Sequence, residues 1–468
     1  MSTKKPKPKT TSRPPASKKS SEPGEQCIVL GHQSQYQSEL GFHTQKHPPP
    51  RKRGDLVRYS GDGHLITIAP TRAGKGVGTV IPNLLSYQGP VVVIDPKAEA
   101  YHVTARRRRE LGHQVVRLDP FGVVDEPSDC LNPFDVLRLT GADLESDSQL
   151  LAELMATVNQ STKEPFWDIQ AKAIHSGLIA NASSDTEGRA NLNSIVDSLH
   201  GDDPSYRMAV LLDVMGKQMN QMAYREIAAT IAMPDVTRGG VLATAQSYVK
   251  SLMSPAVAGT LSETSFSLQD VVDGKPLSIY LIIPPDRLVS HRPLMKLWIG
   301  TLMKAILSRR HRPKLNTLLM IDEAAQLGNF PLLETLMTLA AGYGVWVHTI
   351  WQDLSQLRGN YPTTWRTILN NCAVVQTFGI YNRDMATQWG DYLDSGPNVL
   401  RSLSDNEQIV SIHGQGELRC RRLNYLTDPI FQGQFDANRF YEPASKKEPK
   451  TARSRQKSPD PGRNRAPR

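Results

Sequence analysis

Short apolar runs alternate with helix-compatible stretches in the first third of the chain. The apolar runs lie at 64–69, 91–94 and 115–118, and the stretches between them lie at about 75–87 and 98–111. The run at 91–94 is continuous, as in strands that are buried on both faces. A strand–helix–strand–helix–strand order predicts an α/β fold with a doubly wound, parallel-dominated sheet.

Both helix-compatible stretches contain residues that constrain them. Pro82 lies inside the first stretch, and because proline has no amide donor we expect it to kink or shorten that helix. The second stretch contains the run Arg106-Arg107-Arg108-Arg109. Because arginine is almost never fully buried without partners, this run is predicted to be mostly exposed.

The pattern changes at about residue 141. From there to about 260 strand signals are sparse, and apolar residues recur on one helical face. They include Leu150, Leu151, Leu154, Met155 and Val158. We therefore expect an all-helical domain that is inserted into the α/β domain.

Strand signals return after Lys275 and again alternate with helical spacing. The predicted strands are 277–283, 317–322, 345–351 and 373–378, with helices at 292–309, 331–341 and 363–371. The predicted divisions are a basic tail (1–26), a lead-in segment (27–63), the first part of the α/β domain (64–140), the helical insert (141–260), the second part of the α/β domain (261–442) and a second basic tail (443–468). Both tails are predicted to be disordered.

The positive charge lies at the two ends of the chain. The chain has 468 residues and a formal net charge of +9, and residues 1–26 hold 7 Lys/Arg against 2 Glu, while residues 441–468 hold 9 against 3 acids. The segment 27–440 between them therefore carries −2. Cationic arms attract nucleic acid or anionic membrane surfaces without sequence preference. The alternative is that they are only solubilising ends.

The cysteine spacing and the hydropathy of the chain indicate a soluble, cytoplasmic protein. The cysteines, Cys27, Cys130, Cys372 and Cys420, form no C-x-x-C pair and are expected to be reduced thiols, without a disulfide framework or a zinc site. No stretch approaches the roughly 18–20 apolar residues that span a bilayer. The basic N-terminus lacks the apolar core of a secretory signal.

The turn after the first apolar run has the plan of a phosphate-binding loop. His64 to Gly76 reads as a strand, a turn that carries Gly74-Lys75, and the start of a helix. Backbone amides at such a helix start bind phosphates, and the lysine reaches the terminal ones. The match to G-x-x-x-x-G-K-[ST] is incomplete, because Ala69 replaces the first glycine and Gly76 replaces the Ser or Thr that holds Mg²⁺. On its own the segment could be an ordinary turn.

A second motif makes this turn informative. Leu318-Leu319-Met320-Ile321-Asp322-Glu323 is an apolar run that ends in adjacent carboxylates, the usual second half of a nucleoside-triphosphate site. Asp322 is predicted to hold Mg²⁺, and Glu323 is predicted to activate the attacking water as general base. The alternative is that the two acids cap a helix. Together the two motifs predict an ATPase.

Two open questions concern the same site. Gln352 ends the apolar run at 345–351, where its amide could sense the γ-phosphate of ATP, and a solvated loop glutamine is the alternative. Gly76 leaves Mg²⁺ without its usual hydroxyl ligand, so Thr71, Thr79 or water would have to replace it.

Several segments together resemble the VirD4/TraG coupling proteins of type IV secretion and conjugation. They are Ala69-Pro70-Thr71-Arg72-Ala73-Gly74-Lys75-Gly76-Val77-Gly78, Val80-Ile81-Pro82-Asn83-Leu84-Leu85, Ile94-Asp95-Pro96-Lys97-Ala98-Glu99, Leu131-Asn132-Pro133 and Ile321-Asp322-Glu323-Ala324. The resemblance covers roughly 55–440, and Gly76 and Pro82 belong to that family's own version of the motif. It implies a RecA-like ATPase domain, related to FtsK and HerA motors, with an all-helical insert.

The resemblance also implies roles for individual residues. The nucleotide-binding residues would be Thr71, Arg72, Ala73, Gly74, Lys75, Gly76 and Val77, with ATP and Mg²⁺ as cofactors. Asp322 and Glu323 would form the Walker B pair, and Gln352 fits the family's sensor glutamine. No arginine finger can be assigned, although Arg366 and Arg383 are candidates.

The function implied is that of a ring, expected to be a hexamer, which recruits DNA–relaxase complexes or protein effectors to a secretion channel. One departure is that such proteins usually begin with membrane-spanning helices, which this sequence lacks. Its basic ends could instead contact lipid head groups or a membrane partner, at the inner face of the cell membrane. The alternatives are a nucleotide-switched adaptor that recruits effectors, and a ring helicase or DNA-packaging motor unconnected with secretion.

Overall fold

The apolar runs form the centre of an eleven-stranded sheet in the computed structural model, which describes residues 26–33, 55–156, 165–184, 190–216, 218–390 and 392–440. In chain order the strands are β1 (Ile28–Gln33), β2 (Leu56–Tyr59), β3 (His64–Ile68), β4 (Val91–Ile94), β5 (Gln114–Leu118), β6 (Leu277–Leu281), β7 (Thr317–Ile321), β8 (Val345–Trp351), β9 (Cys372–Thr377), β10 (Glu407–Ile412) and β11 (Gly416–Arg421). Their order across the sheet is β2-β1-β11-β10-β9-β3-β8-β7-β4-β6-β5. The terminal tails, most of the lead-in segment and Val158 lie outside the described residues.

The strands from β9 to β5 are parallel, as predicted. Every residue of β3, β4, β6, β7 and β8 is buried, which explains why these segments are continuous apolar runs. Alternate side chains enter two different cores, with Leu318 and Met320 on one face of the sheet and Leu319 and Ile321 on the other. The α/β prediction is confirmed.

An antiparallel wing extends the sheet beyond β9. It consists of β10, β11, β1 and β2, none of which the sequence pattern predicted. A ladder of buried polar side chains joins it to the parallel part: Thr67 Oγ1 donates to Gln376 Oε1 (2.9 Å), and Gln376 Nε2 donates to Gln408 Oε1 (2.5 Å). Within the wing, the buried Gln408 interrupts the apolar pattern of β10, because its partner lies on β9. Strand β1 begins with the apolar run Ile28-Val29-Leu30, which was not among the predicted strands.

The helices, in chain order, are α1 (Ile81–Ser86), α2 (Glu99–Glu110), α3 (Leu144–Met155), α4 (Phe166–Ser184), α5 (Leu192–His200), α6 (Pro204–Met215), α7 (Gln221–Ile231), α8 (Asp235–Val249), α9 (Pro255–Thr260), α10 (Leu268–Asp273), α11 (Arg292–Leu307), α12 (Pro331–Leu339), α13 (Leu354–Asn360), α14 (Trp365–Asn370), α15 (Arg383–Gly390) and α16 (Pro397–Arg401). Within the described ranges, every helix is too short or too polar to cross a bilayer.

Pro82 shortens the first helix, as expected. The segment Gly76–Val80 is a π-helical turn, and the α-helical pattern starts only at Ile81, which places Pro82 in the first turn of α1. The two segments are continuous, since Ile81 N donates to Gly76 O, and Pro82 lies where the hydrogen-bond pattern changes from π-helical to α-helical.

The prediction that the arginine run of α2 is mostly exposed is wrong for Arg108. Its side chain is fully buried and donates to the carbonyls of Leu84, Tyr87 and Gly89. Its Nε also donates to Ser278 Oγ (2.8 Å). Because the guanidinium meets several acceptors, it can be buried, although burial lowers the pKa of Arg108 to about 10.

The segment between β5 and β6 is helical, as predicted, with no strand among its described residues. Helix α4 is its central element and packs against α3, α7 and α8. Gly300 of α11 has no side chain to collide with Leu154 of α3, which lets the helical segment pack closely on the α/β part. The bounds 141 and 260 stay a prediction.

We expect acid to destabilise this fold, because four of the histidines that it buries favour their neutral form: His64, His113, His175 and His348. Burial lowers the pKa of the first three to about 4 and that of His348 to about 3. The unfolded chain then binds more protons between about pH 6.5 and 4, so stability falls as the pH decreases through that window. Each histidine should remove about 1–2 kcal/mol at pH 5.

The measurement is the melting temperature at pH 7.5 and pH 5. His175→Gln should reduce the difference between the two, whereas His311→Gln, at an exposed position, should leave it unchanged. An equal difference in both variants would contradict this explanation.

Candidate nucleotide-binding site

The loop after β3 turns sharply before the π-helical segment begins. Arg72 (φ 64°) and Gly74 (φ 83°) both have left-handed backbone conformations, which only glycine adopts without strain. Gly78 N donates to Gly74 O (2.9 Å), which is the first helical bond after the loop. The amides before it therefore have no helical partner, as in a phosphate-binding helix start.

Lys75 folds back across this loop. Its Nζ donates to Ala69 O (2.8 Å) and Pro70 O (3.1 Å), and the side chain is buried. Burial lowers the pKa of Lys75, while the carboxylates of Glu323 and Asp322 oppose that shift. A buried ammonium held only by neutral carbonyls is well placed to pair with an anionic phosphate.

Four acidic side chains line the opposite wall. Asp322 and Glu323 follow β7, Asp95 follows the neighbouring strand β4, and Glu99 begins α2. Burial raises the pKa of Asp322 to about 6 and that of Asp95 to about 7, and nearby carboxylates add to both shifts. Mutual repulsion of this kind is what a divalent cation relieves, and carboxylate oxygens are ligands that Mg²⁺ prefers.

Gln352 joins the phosphate loop to the second carboxylate. Its Oε1 accepts a hydrogen bond from Thr71 Oγ1 (3.0 Å), and its Nε2 donates to Glu323 Oε2 (2.8 Å). This position follows from strand order, because β8 lies between β3 and β7. The glutamine is therefore not a solvated loop residue, and its role as a sensor stays a prediction.

The acidic side chains and Gln352 line a cavity of about 300 Å³, and Lys75 is not among its lining residues. Of the sequence-predicted residues, Thr71, Gly76, Asp322, Glu323 and Gln352 line it. Arg72 has an exposed side chain and Val77 packs into an apolar cluster beneath the loop, so both would act through their backbone only. Arg366 and Arg383 are exposed and do not line the cavity, and any role on a neighbouring subunit stays a prediction.

Backbone strain is concentrated at this cavity. Among the described residues, Arg72, Ala98 and Glu323 are the only non-glycine residues with positive φ. Glu323 lines the cavity, and each of the other two is next to a lining residue, Thr71 or Glu99. Strained residues of this kind cluster at functional sites, where the surrounding structure enforces them.

Sequence reasoning missed several residues of the site. Asp95, Lys97 and Glu99 line the cavity, although the sequence singles them out only as part of a segment that resembles a known family. The signal that could have found them is the one used for Asp322, a polar cluster directly after a buried strand. Arg422, after β11, was also missed, and its Nη2 donates to Gly74 O (3.1 Å) from behind the loop.

The structure separates the two threonines that were candidate Mg²⁺ ligands. Thr71 lines the cavity, where its hydroxyl bonds Gln352. Thr79 is buried and is not among the lining residues. Thr79 therefore does not fit the role.

Comparisons with known proteins agree with this geometry. Residues 30–390 match the family model described as "Type IV secretory system Conjugative DNA transfer". The chain is 30% identical over 343 residues to conjugal transfer protein TraG of Escherichia coli, covering 69% of this chain and 53% of TraG. It is 26% identical over 435 residues to VirD4 of Agrobacterium fabrum, covering 85% of this chain and 64% of VirD4. The chain thus spans about half to two thirds of these relatives.

Solved structures of the bacterial conjugative coupling protein TrwB share the fold. The unbound form has a TM-score of 0.59 at 17% identity and covers 82% of this chain and 89% of that one. A TrwB complex with ADP and Mg²⁺ has a TM-score of 0.57 at 17% identity, covering 80% of this chain and 86% of that one. The predicted RecA-like fold is confirmed.

Lys75→Ala should abolish binding of ATP while the protein stays folded, because the backbone bonds from Ala73 N to Pro70 O and from Gly78 N to Gly74 O still hold the loop. Binding of a fluorescent ATP analogue and the melting temperature test this together. Lys314→Ala, at an exposed position, is the matched control and should bind normally. Wild-type affinity in Lys75→Ala would rule out the loop as the phosphate site.

Proposed function

The chain belongs to the type IV secretory system conjugative DNA transfer family, and on that premise we propose that it is the ATP-hydrolysing part of a coupling protein. It would recruit DNA–relaxase complexes or protein effectors to a secretion channel and help to move them. The observation that carries this proposal is the hydrogen-bonded connection from Thr71 through Gln352 to Glu323, because it links the phosphate loop to the general-base candidate.

The proposed reaction is attack of water on the γ-phosphoryl group of ATP. Lys75 and the loop amides hold the phosphates, and Glu323 accepts the proton of the attacking water. Gln352 holds the Glu323 carboxylate towards the loop and would respond when a γ-phosphate arrives at Thr71. Asp322 would hold Mg²⁺, whose positive charge would stabilise the phosphates.

The active form is proposed to be a homo-oligomeric ring. Nucleotide sites at the carboxyl ends of parallel strands lie at a domain edge, where a neighbouring subunit can contribute an arginine. The basic segments at the two ends of the chain would add contacts to DNA phosphates or to anionic lipid at the membrane.

The adaptor alternative has one observation in its favour. Tyr206, Val210 and Val214 of α6 lie at i, i+4 and i+8, with exposures of 67%, 40% and 72%. An exposed apolar row on the helical segment suits binding of a protein substrate. In that case nucleotide would only switch assembly.

The test is the ATPase rate across a protein concentration series, with single-stranded DNA, with double-stranded DNA and without DNA. A ring motor predicts that DNA accelerates turnover at least about tenfold and that specific activity rises with concentration, because subunits complete each other's sites.

Glu323→Gln is the control, since it keeps the hydrogen bond to Gln352 but cannot accept a proton. It should bind ATP and not turn it over. Slow turnover that is indifferent to DNA and to concentration would favour the adaptor.

A further inference from the structure

Gly76 lines the cavity and has no side chain. A Ser or Thr at this position would carry a hydroxyl there. A Cβ built at Gly76 would lie 3.6 Å from Glu99 Oε1, and the three heavy atoms nearest to it all belong to Glu99. The distance corresponds to ordinary van der Waals contact, so the Cβ of a serine would fit without moving the backbone. The Glu99 carboxylate therefore lies beside the missing hydroxyl.

Glu99 is held in this position from two directions. It begins α2 directly after Ala98, whose left-handed backbone (φ 54°) turns the chain from Asp95 into the helix. On the other side, Asn438 Nδ2 donates to Glu99 Oε1 (2.9 Å) and also to the Tyr425 hydroxyl (2.7 Å). Glu99 Oε2 accepts no hydrogen bond from the described residues, which leaves it available to a ligand.

We propose that Glu99 supplies the magnesium ligand that Gly76 lacks, directly or through a bound water, from the same cavity wall as Asp322. The inference rests on the proposed binding of Mg²⁺ and nucleotide. Mg²⁺ binds oxygen ligands and in nucleotide sites uses one or two carboxylates together with phosphates and water, which matches this donor set. Lys97, which also lines the cavity, would offset the negative charge that a carboxylate adds near the triphosphate.

The experiment is a titration of Mn²⁺ in the presence of ADP, followed by the electron paramagnetic resonance signal of free Mn²⁺. Glu99→Gln should weaken Mn²⁺ binding about tenfold, because a neutral amide is a poorer ligand. Gly76→Ser in the Glu99→Gln background should restore most of the affinity, because it returns the missing hydroxyl. Glu110→Gln, at an exposed position on the same helix, is the matched control. Melting temperatures and ADP binding in EDTA are measured for every variant.

Rescue by Gly76→Ser would support the proposal, because a purely structural role of Glu99 would not be rescued there. The Mn²⁺ affinity of Gly76→Ser alone is a second measurement, which does not depend on whether Glu99→Gln folds. This variant should bind Mn²⁺ at least as well as the wild type. Unchanged affinity in Glu99→Gln would overturn the proposal and leave the proposed function intact, as would weakened affinity without rescue. If the wild type bound neither ADP nor Mn²⁺, the proposed function would fail and this inference with it.

Discussion

Parallel pairing of four adjacent strands is the constraint on which the site depends. Strand β8 lies between β3 and β7, and β7 pairs with β4, so the carboxyl ends of all four meet at one edge of the sheet. The register places Ile68 opposite Trp351 and Ile321 opposite Thr349. Strands β3 and β8 therefore end at one level and β4 and β7 end two residues earlier, and groups from distant parts of the chain form one cavity.

The same edge concentrates features that weaken a fold. It carries strained backbone at Arg72, Ala98 and Glu323, a buried lysine, and carboxylates whose pKa values burial raises. The strands β3, β4, β7 and β8 are buried on both faces of the sheet and hold these groups in place. This separation, with stability in the strands and chemistry at their ends, explains why the chemical motifs follow apolar runs so closely.

Local sequence was informative wherever a residue's environment follows from its neighbours in the chain. The parallel strands, the shortening at Pro82 and the pairing of the two nucleotide motifs could all be predicted in this way. The wing could not, because buried polar residues such as Gln408 of β10 find their partner only on the neighbouring strand. Arg108 was misjudged for the same reason, since its acceptors lie on a loop and a strand that the sequence does not place beside α2. Glu99 shares the signal of Asp322, a polar cluster after a buried strand, but its closeness to Gly76 depends on the fold and could not be predicted.

The central claim is that one edge of the sheet binds nucleotide and metal together. The most direct measurement is a crystal structure with Mn²⁺ and a non-hydrolysable ATP analogue, with the metal located by its anomalous scattering. We expect a metal peak beside Asp322 and phosphate oxygens bound to Lys75 Nζ in place of the Ala69 and Pro70 carbonyls. Nucleotide bound elsewhere, or a metal peak away from Asp322, would contradict it.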